Sequence, residues 1–309
     1  PMTGELIAYG GGVYPMPTLL SWTLTYTGGV PCDSFSVTCL YDKKWEAVLP
    51  KLYRFRAVSG GRTQFFGVVD EYTVTQDGNG CLLEVTGRGL AALLLDNESA
   101  AVSYQRATTA EILHQHVEPY GIRCGASTAL AGVYDVTSGS SQWKALAGFT
   151  ADYGGFSPRF TREGTLLLTK GGDGERFLLT DKVPLLFLRK REKRYGVLSE
   201  VVVQDKLRHT TLSVKNEEFC HRGGLCRRVI YVPGQSRRNS LRYTGDYQIA
   251  QSRLEQVQAE LTLQGAPPVF PGERVAIRRR ELSGDYQVCE TVWSGSGAGE
   301  TTSLTLGKS

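Results

Sequence analysis

Along the first ninety residues apolar and polar side chains alternate with a period of two, the repeat of a strand buried on one face only. Ser34 to Leu40 and Tyr53 to Val58 follow it, Ser21 to Thr27 is rich in strand formers, and Gln64 to Val74 runs to a turn from which Cys81 to Val85 comes back. Gly28-Gly29, Gly60-Gly61 and the turn Gln76-Asp77-Gly78-Asn79-Gly80 punctuate these runs. Glycine and asparagine there supply the positive φ that tight hairpins require. The pattern predicts a β-meander, closed or nearly closed into a barrel because closure removes exposed strand edges.

The repeat then lengthens. Gly87 to Asn97, with the apolar run Leu90 to Leu95, is too compact for another strand pair, is rich in helix formers and predicts a short helix. Thr108-Thr109-Ala110-Glu111 fits a capping box with Thr108 as N-cap, opening a helix that Pro119-Tyr120-Gly121 ends. A second helix is predicted to start at Ser140 or Ser141, carrying Trp143, Leu146, Ala147 and Phe149 on one face and stopping at Gly154-Gly155. Short strands follow at 156–160, 165–169 and 177–179, joined by Glu163-Gly164 and Gly171-Gly172-Asp173-Gly174. Beyond them, strands are predicted at 195–204, 209–214 and 229–232, the last ended by Pro233-Gly234, then a helix at 247–254. Four more strands lie at 257–263, 274–278, 285–292 and 301–306. The predicted fold class is mainly β with an α/β insertion. Residues 1–97 form a first β-barrel completed by return strands near 195–215, residues 98–184 a small α/β unit, and residues 216–309 a second β-barrel.

Composition sharpens this without redirecting it. A length of 309 residues suits about two domains, and 36 glycines against 12 prolines favour turn-rich structure over disorder. No apolar run approaches the 18 or more residues of a membrane span, so no membrane anchor is expected. Pro1-Met2-Thr3-Gly4-Glu5 lacks a basic stretch followed by an apolar core, so synthesis and folding in a cytoplasm are expected. Seven cysteines, Cys32, Cys39, Cys81, Cys124, Cys220, Cys226 and Cys289, are scattered and odd in number, unlike a secreted disulfide framework. Cys220-His221 with Cys226 lacks the paired fourth ligand of a zinc site, and His114 and His116, two apart, point away from each other on a helix. No metal and no cofactor is expected.

The net charge is only +4, but residues 181–240 hold 14 Lys/Arg against 6 Asp/Glu, which leaves the rest of the chain net negative. Its sharpest part, Arg189, Lys190, Arg191, Lys193 and Arg194, is compatible with binding phosphate, an acidic partner or a nucleic-acid channel. A solvated loop or an edge strand protected by charge explains it equally well. Tyr53-Arg54-Phe55-Arg56 interleaves aromatics with cations as a base-stacking barrel does, although strand alternation alone produces the same spacing.

Catalytic patterns do not complete. Gly295-Ser296-Gly297-Ala298-Gly299 lies between two predicted strands and reads as a hairpin loop, not a nucleophile elbow. Gly307-Lys308-Ser309 imitates the end of a P-loop, but Thr302 stands where the first glycine belongs. Asp70 and Glu71 are adjacent on a presumed strand and so face opposite ways, and Glu111 is used as a cap, which argues against a glycosidase pair.

Phe66-Gly67-Val68-Val69-Asp70 and, after the hairpin, Leu83 to Glu98 with Gly87-Arg88 and Leu93 to Asn97 resemble the late-control-protein type of baseplate hub in contractile phage tails and tail-like particles. Tyr120-Gly121-Ile122, the Trp143 helix, Gly154-Gly155-Phe156, Arg162 to Leu168 and Pro271 to Ile277 are similar to that family in the same order. The resemblance implies a non-enzymatic homotrimer with two tail-tube-like barrels per chain, six in a ring that adapts a sixfold tail tube to a threefold central spike. It implies a separate spike protein, the tail tube protein, baseplate wedge proteins and the tape measure as partners. It also implies a place in the baseplate of a virion or tail-like particle, assembled in the cytoplasm of a bacterial host, with no specific nucleic-acid binding. The basic run would then face the lumen or an interface. A cell-wall glycan hydrolase and a nucleic-acid-binding barrel are the competing readings.

Overall fold

The computed structural model describes residues 1–28, 31, 33–78, 80–170, 177–205, 209–232, 238–254 and 256–308. Cys32, and the turn residues Gly29, Asn79, Gly171, Gly172, Asp173, Gly174, Pro233 and Gly234, lie outside the described residues.

The first half is a rolled sheet of seven strands: β1 (Thr3–Ala8), β2 (Val13–Pro15), β3 (Leu19–Thr27), β4 (Ser34–Leu40), β5 (Leu52–Ser59), β6 (Arg62–Asp77) and β7 (Gly80–Gly89). They hydrogen-bond in the order β2-β1-β5-β6-β7-β4-β3. Alternation decides what lies inside: β4 turns Phe35, Val37 and Cys39 inward and its serines and threonine outward. Phe35 stacks on Phe55 of β5 with ring centroids 4.1 Å apart, and Leu6, Leu24, Leu83 and Val85 close the core around them. Where β6 and β7 cross, glycine is needed for close approach: a Cβ on Gly87 would run into the carbonyl oxygen of Val68.

A one-turn helix, α1 (Ala92–Leu95), leads into the α/β unit: β8 (Val102–Thr108), α2 (Thr109–His116), β9 (Cys124–Ser127), β10 (Ala131–Val136), α3 (Gln142–Gly154), β11 (Arg159–Phe160) and β12 (Leu166–Leu168). The capping box forms as the spacing predicts, with Thr108 accepting from the Glu111 amide and Glu111 reaching back to the Thr108 amide. Ser141 caps α3 by accepting from the Lys144 amide. Ile112, Trp143, Leu146, Phe149, Leu166 and Leu168 bury their side chains together here.

The second half of the β structure contains β13 (Phe177–Thr180) and β14 (Phe187–Glu192), then, further along the chain, β18 (Val257–Gln264), β19 (Arg274–Arg278), β20 (Ser283–Ser296) and β21 (Gly299–Lys308). Leu179, Leu261, Ile277, Tyr286, Val288 and Leu306 fill it. Its strands run β14-β18-β21-β20, with β19 on β20 and β13 parallel to β19. Crucially, β20 also pairs with β3, from Glu290 opposite Thr27 to Ser296 opposite Ser21, so both halves belong to one 13-stranded sheet. Trp22 and Trp293 meet edge to face at this seam, 5.0 Å between centroids, and Trp293 completes the core of the first half. A Cβ on Gly295 would stand 2.5 Å from the Trp22 ring, so glycine makes room for that indole.

The fold is thus mainly β, two barrel-like halves and an α+β unit, as the sequence pattern predicts. Between β14 and β18 lies a fourth small core: β15 (Glu200–Asp205), β16 (Thr211–Lys215), α4 (Glu217–His221), β17 (Arg227–Val232) and α5 (Arg238–Leu254). The strands expected near 195–215 to complete the first barrel lie here instead. β15 is the centre of a separate sheet, antiparallel to β16 and parallel to β17, and its inward Val201 and Val203 pack with Leu241 and Ile249 of α5. Residues 216–254, expected in the second barrel, belong to this core, while 177–192 supply β13 and β14 of the second half.

Candidate assembly surfaces

The basic run is an edge strand. Among the described residues β14 pairs on one side only, with β18, placing Leu188 opposite Leu261 on the inner face and Arg189 opposite Glu260 on the outer face. Arg189 and Glu260 form an ion pair at 2.5 Å, and those hydrogen bonds raise the guanidinium pKa. Because side chains alternate, Arg191 shares the outer face with Arg189, whereas Lys190 points to the other side. Lys193 and Arg194 lie past the strand end. The Lys193 amide bonds to the Gln256 carbonyl, and Arg194 lines a shallow hollow with Tyr195, Phe219 and Leu225. The structure therefore does not gather the five cations into one cluster, and Lys190, Arg191 and Arg194 make no ion pair among the described residues.

A cleft of about 950 Å³ lies where the first half, the α+β unit, α5 and the second half meet. Tyr26 of β3 donates to the Gln64 carbonyl of β6 at 2.7 Å, and the Arg162 guanidinium lies 4.3 Å over the Phe270 ring. Burial pushes the Asp33 carboxyl up to about 6 despite hydrogen bonds from the Thr27 amide at 2.7 Å and the Thr27 hydroxyl. Burial likewise raises the Tyr26 phenol. At the rear of the unit, Thr244 of α5 donates to Asp152 of α3 at 3.1 Å, and burial raises that carboxyl to about 6. Ser157 and Tyr247 hydrogen-bond across the same joint. Sequence reasoning missed this junction, since its members are distant along the chain and each has an ordinary local environment.

The residues weighed for chemistry have structural duties. Arg88 clamps Asp70 at 2.7 and 3.0 Å and also binds Asp96, and these hydrogen bonds raise its pKa. Glu111 is the helix cap. Buried His116 sits between Gln142, at 2.7 Å from Nδ1, and the Tyr104 hydroxyl, at 3.0 Å from Nε2. Cys220 and Cys226 both contact Ser199, and His221 bonds to the Glu217 carbonyl. Among the described residues no three His, Cys, Asp or Glu side chains are grouped to hold a metal ion, and no helix is long and apolar enough to cross a membrane.

The architecture is that of phage tail proteins. The chain superposes over 99% of its length on the tail protein from Neisseria meningitidis MC58, covering 96% of that chain with a TM-score of 0.78 and 18% identity. It matches the 43 kDa tail protein of prophage MuSo2 from Shewanella oneidensis over 99% of its length and 98% of that chain, with a TM-score of 0.77 and 16% identity. The c3393 protein of E. coli, a type VI secretion component similar in structure to the bacteriophage T4 tail proteins gp27 and gp5, matches 94% of this chain and 73% of its own, with a TM-score of 0.56 and 12% identity. No protein-family model and no curated protein sequence matches the chain.

Proposed function

We propose that the protein is a structural baseplate hub, three copies of which form a ring joining a sixfold tail tube to a threefold central spike. One observation carries this reading: a single chain holds two barrel-like halves side by side in one sheet. Three such chains present six similar β modules to a sixfold ring while keeping only threefold symmetry elsewhere, which is what an adaptor between the two symmetries needs. The architecture shared with phage tail proteins and with a secretion component similar to T4 tail proteins supports it.

On this reading the partners are the tube protein, a separate spike, wedge proteins and the tape measure, and the location is the baseplate of a virion or tail-like particle. The function lies in surfaces and needs no catalytic group. The Asp70 and Glu111 carboxylates, the pair a glycan hydrolase would need, already serve an ion-pair cluster and a helix cap. The test is electron microscopy of the chain with tube and spike proteins. Threefold rings seated between the two are expected, without lysis of cell walls. A chain that stays monomeric and joins no tail structure overturns the proposal.

A further inference from the structure

Among the described residues, several strands of the long sheet pair on one side only, and two of these edges are long. One is β14, six residues paired only with β18. The other is the distal part of β6. The β5 ladder ends at Arg54 opposite Val68, so from the bulge at Asp70 onward β6 is paired, from Glu71 to Asp77, with β7 alone, and every residue from Asp70 to Asp77 is exposed. The far end of the sheet, β2, is protected: it is three residues long and finishes on Pro15, which has no N–H to offer.

The two open edges complement each other face by face. On β6 beyond the bulge at Val69/Glu71, Tyr72 and Val74 lie opposite Val85 and Leu83 and so on the inner face, yet they remain 41% and 42% exposed. Glu71, Thr73, Thr75 and Asp77 occupy the outer face, beside Glu84 of β7. On β14 the inner face carries Leu188, Lys190 and Glu192, and the outer face Phe187, Arg189 and Arg191. Set side by side in one continuous sheet, Arg189 and Arg191 meet Glu71 and Asp77 on the outer face, and Leu188 joins Tyr72 and Val74 on the inner. The edges are different patches of the same molecule, so their pairing is head to tail and propagates around a ring instead of stopping at a dimer.

Resting on the ring proposed above, we infer that β14 of one copy pairs edge to edge with the 70–77 segment of β6 in the next, making the sheet continuous from chain to chain. The basic run is then an interface strand, and its occupant is a second copy of this chain.

The test uses the full chain in sedimentation, with the tube and spike proteins present, together with hydrogen exchange of the assembled form. Arg191→Glu and Glu71→Lys are each expected to weaken assembly about tenfold or more, and the two combined in one chain to restore it. All these sites are exposed, so the monomers remain folded. Amides of 70–77 and 187–192 are expected to gain protection in the ring. A ring unmoved by either substitution, or protection appearing at 13–15 or 227–232 instead, overturns the edge pairing and leaves the hub reading standing. Absence of any ring with both partners present overturns the hub reading itself.

Discussion

Arg162, in the turn between β11 and β12, donates from Nη1 to Oε1 of Gln64 on β6 at 2.7 Å, while its guanidinium covers the Phe270 ring. One side chain thus ties the α+β unit to both barrel-like halves. Arg162→Ala removes a charge-assisted hydrogen bond and a cation–π contact and is expected to cost about 1–3 kcal/mol in denaturant unfolding. In a double-mutant cycle with Gln64→Ala, about 1 kcal/mol of coupling is expected, and additivity would show that the pair does not act together.

Asp33 gives the fold a pH dependence of definite sign. Its carboxyl titrates near 6 in the folded protein against about 4 when unfolded, so folding favours the protonated form. The stability this group allows is complete below the unfolded value and falls as pH rises through about 6. Asp33→Asn keeps an acceptor for the Thr27 amide without the charge. It is expected to raise Tm by about 2 °C or more at pH 8 and to give little advantage at pH 4, as measured by calorimetry at both. Equal gains at the two pH values would refute the assignment.

The seam between the halves rests on Trp293. Trp293→Ala opens a cavity against Trp22 in the core of the first half and is expected to cost about 3–5 kcal/mol, with faster hydrogen exchange in both β3 and β20. Exchange that rises in β20 alone would mean the halves are held together elsewhere.

Two glycines of the same hairpin should behave oppositely. Gly87→Ala forces a methyl into the Val68 carbonyl and is expected to cost more than about 3 kcal/mol or to prevent soluble expression. At Gly78 a Cβ meets nothing within 4 Å, and Gly78→Ala is expected to stay within about 0.5 kcal/mol of the parent. Expression level and thermal melts of the two variants distinguish them.

Local chemistry was readable from the sequence, and long-range pairing was not. The Thr108–Glu111 box, the Ser141 cap and the alternation in 34–40 announce themselves because each is complete within a few residues. β1 passes unnoticed since Gly4 and Glu5 near its start are poor strand formers, and only pairing with β5 makes it a strand. Arg189 to Arg194 reads as a charged stretch, but its edge position depends on β18, some seventy residues later. The β15–β17 core is hidden for the same reason: its parallel partner strand and its helix come after an intervening hairpin, so the nearby first barrel looks like the simpler destination. The Arg162 junction joins residues whose separations in sequence carry no local signal.

The pairing of β3 with β20 also sets a timetable for synthesis. Residues 1–89 contain everything needed for the first rolled sheet except its last neighbour, which is not translated until residues 283–296. At about 5–20 residues per second, the outer edge of β3 waits on the order of 10 to 50 s beside the ribosome, bare and able to pair with other nascent chains. Slowing translation between the two halves, or crowding many ribosomes onto one message, should therefore raise the fraction of protein that aggregates before it is finished.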